Sequence, residues 1–209
     1  SNTLNAVWME SGTVGFAVGA SGTALRWNGS NWTASSTGIT EALNAVWSTG
    51  GQAWAVGDGG EVVRWNGSAW ARQNTPTNQT LFGVSGSSSS NVVAVGSSGT
   101  LLRFNGSTWQ NVNSGNSADF YGVAGSAANG GRQFIASDVG LLQLDGNSVS
   151  PVSTPYAPRL YGVSVDGSGN AWTSGQRGSV MRFTGSSWET VNQAPDLIDV
   201  WTSASNNAW

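Results

Sequence analysis

Apolar and polar residues alternate along this chain in short bursts broken by glycine, and the same burst returns several times. The clearest copy reads Ala53-Trp54-Ala55-Val56-Gly57-Asp58-Gly59-Gly60-Glu61-Val62-Val63-Arg64-Trp65-Asn66-Gly67-Ser68-Ala69-Trp70. Near-copies run Phe16 to Trp32, Val93 to Trp109 and Trp172 to Trp188, with a degraded one from about Phe134 to Val149. Arg26, Arg64, Arg103, Gln143 and Arg182 hold one place in the pattern, at spacings of 38, 39, 40 and 39 residues. Glycine and proline interrupt every window long enough for a helix, and no apolar 3.6-residue stripe persists.

Each repeat divides into four short strands. The first begins at Leu4, Leu43, Leu81, Phe120, Leu160 and Leu197, and the second is Ala53 to Val56 in the clearest copy. A Gly-x-x-Gly turn follows (Gly19/Gly22, Gly57/Gly60, Gly96/Gly99), because glycine alone enters left-handed backbone freely. The third strand is Glu61 to Trp65. Asn-Gly at 28–29, 66–67 and 105–106 then predicts a type I′ hairpin, in which both central residues need positive φ. The fourth strand carries Trp32, Trp70, Trp109 and Trp188.

Four strands per repeat of about 39 residues is the blade of a β-propeller. The chain is therefore expected to be all-β and one domain over 1–209, with five full repeats starting near 4, 43, 81, 120 and 160 and a partial sixth from 197. The sixth supplies a first strand (Leu197 to Trp201) and the start of a second (Asn206 to Trp209). Six blades are favoured, with five as the alternative. Another copy or an upstream segment could complete the last blade, since open edges recruit strands.

Composition narrows the function. Only 9 % of the 209 residues are charged, against roughly 25 % in average domains. Twelve Trp, six Phe and three Tyr nevertheless provide a core. Net charge is −3 and no basic run exists, which argues against nucleic acid as a partner. There is no Cys and no His, so thiolate chemistry and the commonest catalytic base are missing. No apolar run approaches the ~18 residues of a membrane span. Abundant Ser, Thr, Asn and Gly suit an extracellular or cell-surface bacterial protein.

The pattern Trp-Ala-Val-Gly-x-x-Gly-x-hydrophobic-hydrophobic-Arg-Trp-Asn-Gly-Ser-x-Trp resembles the repeats of bacterial sialidase-like propeller proteins. Its Arg-Trp-Asn-Gly-Ser-x-Trp part is similar to an Asp-box hairpin, with Asn in place of the usual Asp and a shorter spacing. The resemblance implies a propeller. It leaves activity open among lectins, adhesion modules, assembly factors and glycosidases.

A sialidase of that group needs clustered arginines and a Tyr–Glu nucleophile pair. Here Arg26, Arg64, Arg103 and Arg182 occur once per repeat, which spreads them apart. Each is expected to stack on a neighbouring aromatic or to bond a loop carbonyl between blades, with a ring of anion sites as the alternative. Tyr121 and Tyr161 are repeat-equivalent, beside Phe82, and read as packing residues. No carboxylate pair suited to hydrolysis recurs. No catalytic residue, metal site or cofactor is expected. The end of the first strand holds Trp8, Trp47 and Trp201 but Ser85, Ala124 and Ser164 in the other repeats. Those three Trp, with Asp58 of the turn, are the candidate ligand-binding residues, and volume compensation in the core is the competing reading. The expected function is a non-enzymatic binding module: carbohydrate recognition or adhesion first, a protein-interaction or assembly scaffold second, a glycosidase last.

Overall fold

A computed structural model describes residues 2–126, 130–155, 159–192, 197–204 and 207–208. The first sheet contains β1 (Leu4–Met9), β2 (Gly15–Gly19), β3 (Ala24–Trp27) and β4 (Trp32–Ala34). The second contains β5 (Leu43–Thr49), β6 (Gln52–Gly57), β7 (Val62–Trp65) and β8 (Trp70–Gln73). The third contains β9 (Leu81–Ser88), β10 (Asn91–Gly96), β11 (Leu101–Phe104) and β12 (Trp109–Asn111). The fourth contains β13 (Phe120–Gly125), β14 (Gln133–Ser137), β15 (Gly140–Asp145) and β16 (Ser148–Pro151). The fifth contains β17 (Leu160–Val165), β18 (Ala171–Gly175), β19 (Val180–Phe183) and β20 (Trp188–Asn192). Each is a meander whose strands lie in chain order. A two-stranded sheet, β21 (Thr202–Ala204) with β22 (Asn207–Ala208), follows.

Five first strands begin at the residues the apolar pattern marks. The sixth repeat differs. Leu197 to Trp201 is not a strand: Leu197 N donates to Gly175 O at 3.2 Å, and the Asp199 carboxylate accepts from Val200 N at 2.8 Å. This segment is tied to the end of the fifth sheet, and pairing starts only at Thr202. The expected second strand is represented by β22; Asn206 and Trp209 lie outside the described residues.

The hairpin between the third and fourth strands also departs from expectation. Gly29, Gly67 and Gly106 have positive φ, but the preceding Asn28, Asn66 and Asn105 do not, so the turn is not type I′. A loop of four residues separates the paired rings Trp65 and Trp70. Within it Asn66 Oδ1 accepts from Ser68 N at 3.0 Å and Ala69 N at 3.1 Å. Asn28 and Asn105 do the same in their sheets. The Asn is present for its side-chain acceptor, an Asx-type turn.

The chain forms two compact units, Ser1–Gly96 with Leu102–Asn111, and Ser97–Leu101 with Val112–Trp209. In the first, one apolar cluster joins the first sheet (Phe16, Val18, Ala24) to the second (Leu43, Val46, Trp65, Trp70). Another joins the second sheet (Trp47, Trp54, Val56) to the third (Leu81, Val92, Phe104, Trp109). In the second unit Phe134, Ala136 and Leu141 meet Leu160, Met181 and Trp188. Apolar residues on both faces of a sheet, sizes varying by copy, give this stacking.

Candidate functional site

The Gly-x-x-Gly turn shapes one end of every sheet that has it. Its third residue is left-handed (Ser21 φ 53°, Gly59 66°, Ser98 55°, Arg177 57°), and so is its closing glycine. Its opening glycine is extended instead, and serves close approach. A Cβ at Gly19, Gly57, Gly96 or Gly175 would run into the carbonyl of Thr3, Ala42, Thr80 or Arg159, just before the first strand. That carbonyl accepts from the turn's second residue: Ala20 N to Thr3 O is 2.9 Å, Asp58 N to Ala42 O 3.0 Å and Gln176 N to Arg159 O 2.8 Å. A hydroxyl from the linker after the fourth strand closes the other side, with Thr37, Thr75 and Ser114 donating to Gly22 O, Gly60 O and Gly99 O at 2.7–2.8 Å.

The second residue of each first strand lies beside this turn, on a β-bulge. Register shifts bracket Asn5, Asn44, Phe82, Tyr121 and Tyr161 in the five sheets. A bulge re-aims one side chain out of the ladder. Asn5 and Asn44 use theirs to donate to Leu43 O and Leu81 O of the next sheet, at 2.9 and 3.1 Å. Asn44 also donates to Asp58 Oδ1 at 2.9 Å.

In the second unit the same two positions hold Tyr121 and Asp138. Tyr121 OH donates to Asp138 Oδ1 at 2.9 Å, and Arg159 Nε donates to the same oxygen at 2.6 Å. The Tyr121 and Tyr161 rings meet at 5.6 Å and 66°, over a close approach of β13 to β17 at Gly122. Burial, helped by the bond to Asp138 and its charge, pushes the Tyr121 phenol up to about 12. Asp138 in turn raises Arg159, whose side chain is 46 % exposed. The cluster therefore offers two aromatic edges, a fixed carboxylate and a reachable guanidinium. A phenol kept protonated through the neutral range is a poor nucleophile.

Trp47 is buried, 5.7 Å from Trp54, with its ring against Gly86 where a Cβ would fall 2.7 Å away. It has no open face for a sugar ring. Trp8 is partly buried and packs on the same cluster as Trp47. Trp201 is exposed, in the second unit. Asp58 sits beside the start of β5, away from Trp47 toward its far end. Within the first unit, Trp8 and Trp47 pack on one cluster and Asp58 lies at the other end of β5.

Three of the four repeated arginines lie over aromatic rings, Arg26 and Arg64 reaching the next sheet and Arg182 a ring of its own sheet. Arg26 lies 5.8 Å from the Trp65 ring, Arg64 sits between Trp54 and Phe104 at 5.2 and 5.4 Å, and Arg182 lies 5.8 Å from Trp172. Arg64 also bonds Gln52 Oε1, and burial lowers the pKa of Arg103. A polar groove of about 350 Å³ adjoins the second sheet's turn, lined by Gly59, Glu61, Arg72, Gln73 and Thr75. Arg72 Nε closes it on Glu61 Oε2 at 2.7 Å.

No family model matches the chain, and no curated protein matches it in sequence. Solved structures do match, and those that follow are β-propeller proteins. YCF48 bound to D1 peptide aligns at TM-score 0.66 and 16 % identity, over 91 % of this chain. The WD40 β-propeller domain of Doa1 aligns at 0.66 and 11 %, over 99 % of this chain and 88 % of its own. The extracellular domain of BT4673 from B. thetaiotaomicron aligns at 0.69 and 12 %, over 94 % of this chain. This chain spans 66 % of the YCF48 chain and 31 % of the BT4673 chain. At such identities the likeness defines the class by fold: an all-β chain of four-stranded propeller sheets.

Proposed function

We propose that this chain is a non-catalytic propeller module that binds a protein segment at the turn end of its sheets. One observation carries the reading. The bulged position changes from Asn5 and Asn44 to Phe82, Tyr121 and Tyr161, while the strands around it repeat in all five sheets and the Gly-x-x-Gly turn in four of them. In a repeat fold, packing demands recur in each copy and ligand demands need not. A half-buried Tyr pair beside an Asp138–Arg159 ion pair suits a peptide with mixed apolar and charged side chains, since Tyr and Arg dominate such contacts. The YCF48 neighbour was solved with a peptide, which agrees at the level of fold.

The test is selection of a displayed random peptide library on the immobilised protein. Enriched peptides should bind Tyr161→Ala and Arg159→Ala at least about tenfold more weakly, some 1.4 kcal/mol. Peptides that bind both folded variants undiminished would remove this site.

A carbohydrate ligand is the second reading, favoured by the exposed Trp201 and by low charge. Sugars stack on open indole faces. It predicts selective glycan-array binding that Trp201→Ala abolishes. An extracellular or surface location belongs to the same reading; the BT4673 neighbour is an extracellular domain.

A further inference from the structure

Asn-Gly returns in three of the loops between third and fourth strands, at 28–29, 66–67 and 105–106. The dipeptide can modify itself. The glycine amide nitrogen attacks Cγ of the asparagine side chain, the new C–N bond closes a five-membered imide, and the side-chain nitrogen leaves as ammonia. Water then opens the imide to aspartate or isoaspartate. Glycine favours the attack because no Cβ crowds the nitrogen beside it. A reactive site needs a free nucleophilic nitrogen, donors on the carbonyl oxygen where charge develops, and a leaving group that nothing holds.

The loop between β7 and β8 supplies all three. Among the described residues, Gly67 N and Asn66 Nδ2 donate to no partner. Asn66 Oδ1 accepts from Ser68 N at 3.0 Å, from Ala69 N at 3.1 Å and from Ser68 Oγ at 2.9 Å. That oxygen carries the negative charge once Gly67 N has added to Cγ, so the same donors serve as an oxyanion hole. The asparagines of the first strands are held differently. Asn5 Nδ2 and Asn44 Nδ2 donate to Leu43 O and Leu81 O, which ties up the leaving group.

The other two loops offer less. Asn28 and Asn105 each receive two backbone donors and no hydroxyl. Space differs as well. A Cβ at Gly29 would meet Thr13, and one at Gly106 would meet Ser90, each at 3.1 Å, whereas nothing lies within 4 Å of that point at Gly67. Closing the imide turns the Asn-Gly peptide, and a loop with few contacts turns most easily. The acid product also has a place in the fold, since Asp145 stands at the Asn66 position in the fourth sheet, before Gly146. We propose that Asn66 is a site of spontaneous deamidation in the folded protein, faster than Asn28 and Asn105, with water as its only co-reactant. Each event releases one ammonia and adds one negative charge to a chain of net charge −3. The site is separate from the proposed peptide-binding end, because the length of β7 lies between it and the Gly57–Gly60 turn.

Peptide mapping by mass spectrometry, on protein aged in its folded state at mildly alkaline pH, tests this. Conversion appears as a gain of about 1 Da at the asparagine. Asn66 should convert at least about threefold faster than Asn28 or Asn105, the effect of one further hydrogen bond. Ser68→Ala should bring Asn66 down to the rate of the other two, and Ser68→Thr, which keeps the hydroxyl, should not. Asn28 and Asn105 act as clocks within each variant, since a loosened fold would move all three rates together. An Asn66 no faster than its two counterparts would overturn the proposal, and so would a rate indifferent to Ser68→Ala. Conversion only after unfolding in urea would overturn it too, and would mean that the turn shields Asn66.

Discussion

At Gly60 two demands coincide: the backbone is left-handed at φ 75°, and a Cβ would run into Thr77 O. Gly59 meets only the first, with φ 66° and open space around it. The chain supplies its own control, because Ser21, Ser98 and Arg177 occupy the Gly59 position at similar φ. Gly59→Ala should therefore cost about 1–2 kcal/mol, the left-handed penalty alone. Gly60→Ala should cost about 1–3 kcal/mol more, as backbone gives way to a methyl group. Urea denaturation of the two variants checks the difference, and equal losses would dismiss the close contact. At this scale the sequence spoke unevenly. Glycine at 57 and 60 is legible as a turn, but the reason for Gly57 is an approaching carbonyl that no local rule contains. Tyr121 was equally opaque. Beside Phe82 and Tyr161 it reads as a packing residue, and its partner Asp138 belongs to the degraded turn. The available signal was positional: Asp58 and Asp138 occupy one repeat place, each beside a first-strand residue that differs between copies.

Among elements, the third-to-fourth hairpin is the clearest lesson. Its location followed from Asn-Gly, but its type depends on loop length, which the spacing of Trp65 and Trp70 already held. The side chain of Asn66 does the work there, so Asn66→Ala should destabilise by about 1–2 kcal/mol, while Asn66→Asp, which keeps the acceptor, should be close to neutral. Thermal melts of both would decide, and equal losses would point to backbone conformation instead. Thr184 already fills this role in the fifth sheet, accepting from Ser187 N at 3.2 Å. First strands were legible because an apolar residue opens each one. The sixth was not, because Leu197 has the apolar signature while its backbone is bonded to the end of the fifth sheet.

At the scale of the whole molecule, stability should respond little to pH across the neutral range. With no His and no Cys, no side-chain type present ordinarily titrates between about 5 and 9. At higher pH Tyr121 becomes the sensitive group. Its folded pKa of about 12 lies above the ordinary 10.0, so the folded state holds that proton more tightly. The contribution is complete below pH 10 and is lost as pH rises toward 12. Denaturation midpoints should be flat from about pH 6 to 9 and fall above 10, and Tyr121→Phe should fall less steeply. A steep change near neutrality would mean that some other group titrates there. The bulged position has a longer reach than any of these effects. The repeats share one chain and one strand-and-turn frame, and at the bulged position each copy meets its neighbour with a different side chain: an Asn bonding the next sheet's carbonyl in two copies, a Tyr packing on the next sheet's Tyr in another. On the proposed reading, residues 5, 44, 82, 121 and 161 are where recognition would differ from copy to copy, so that one chain would carry several unlike contacts on a single repeated frame.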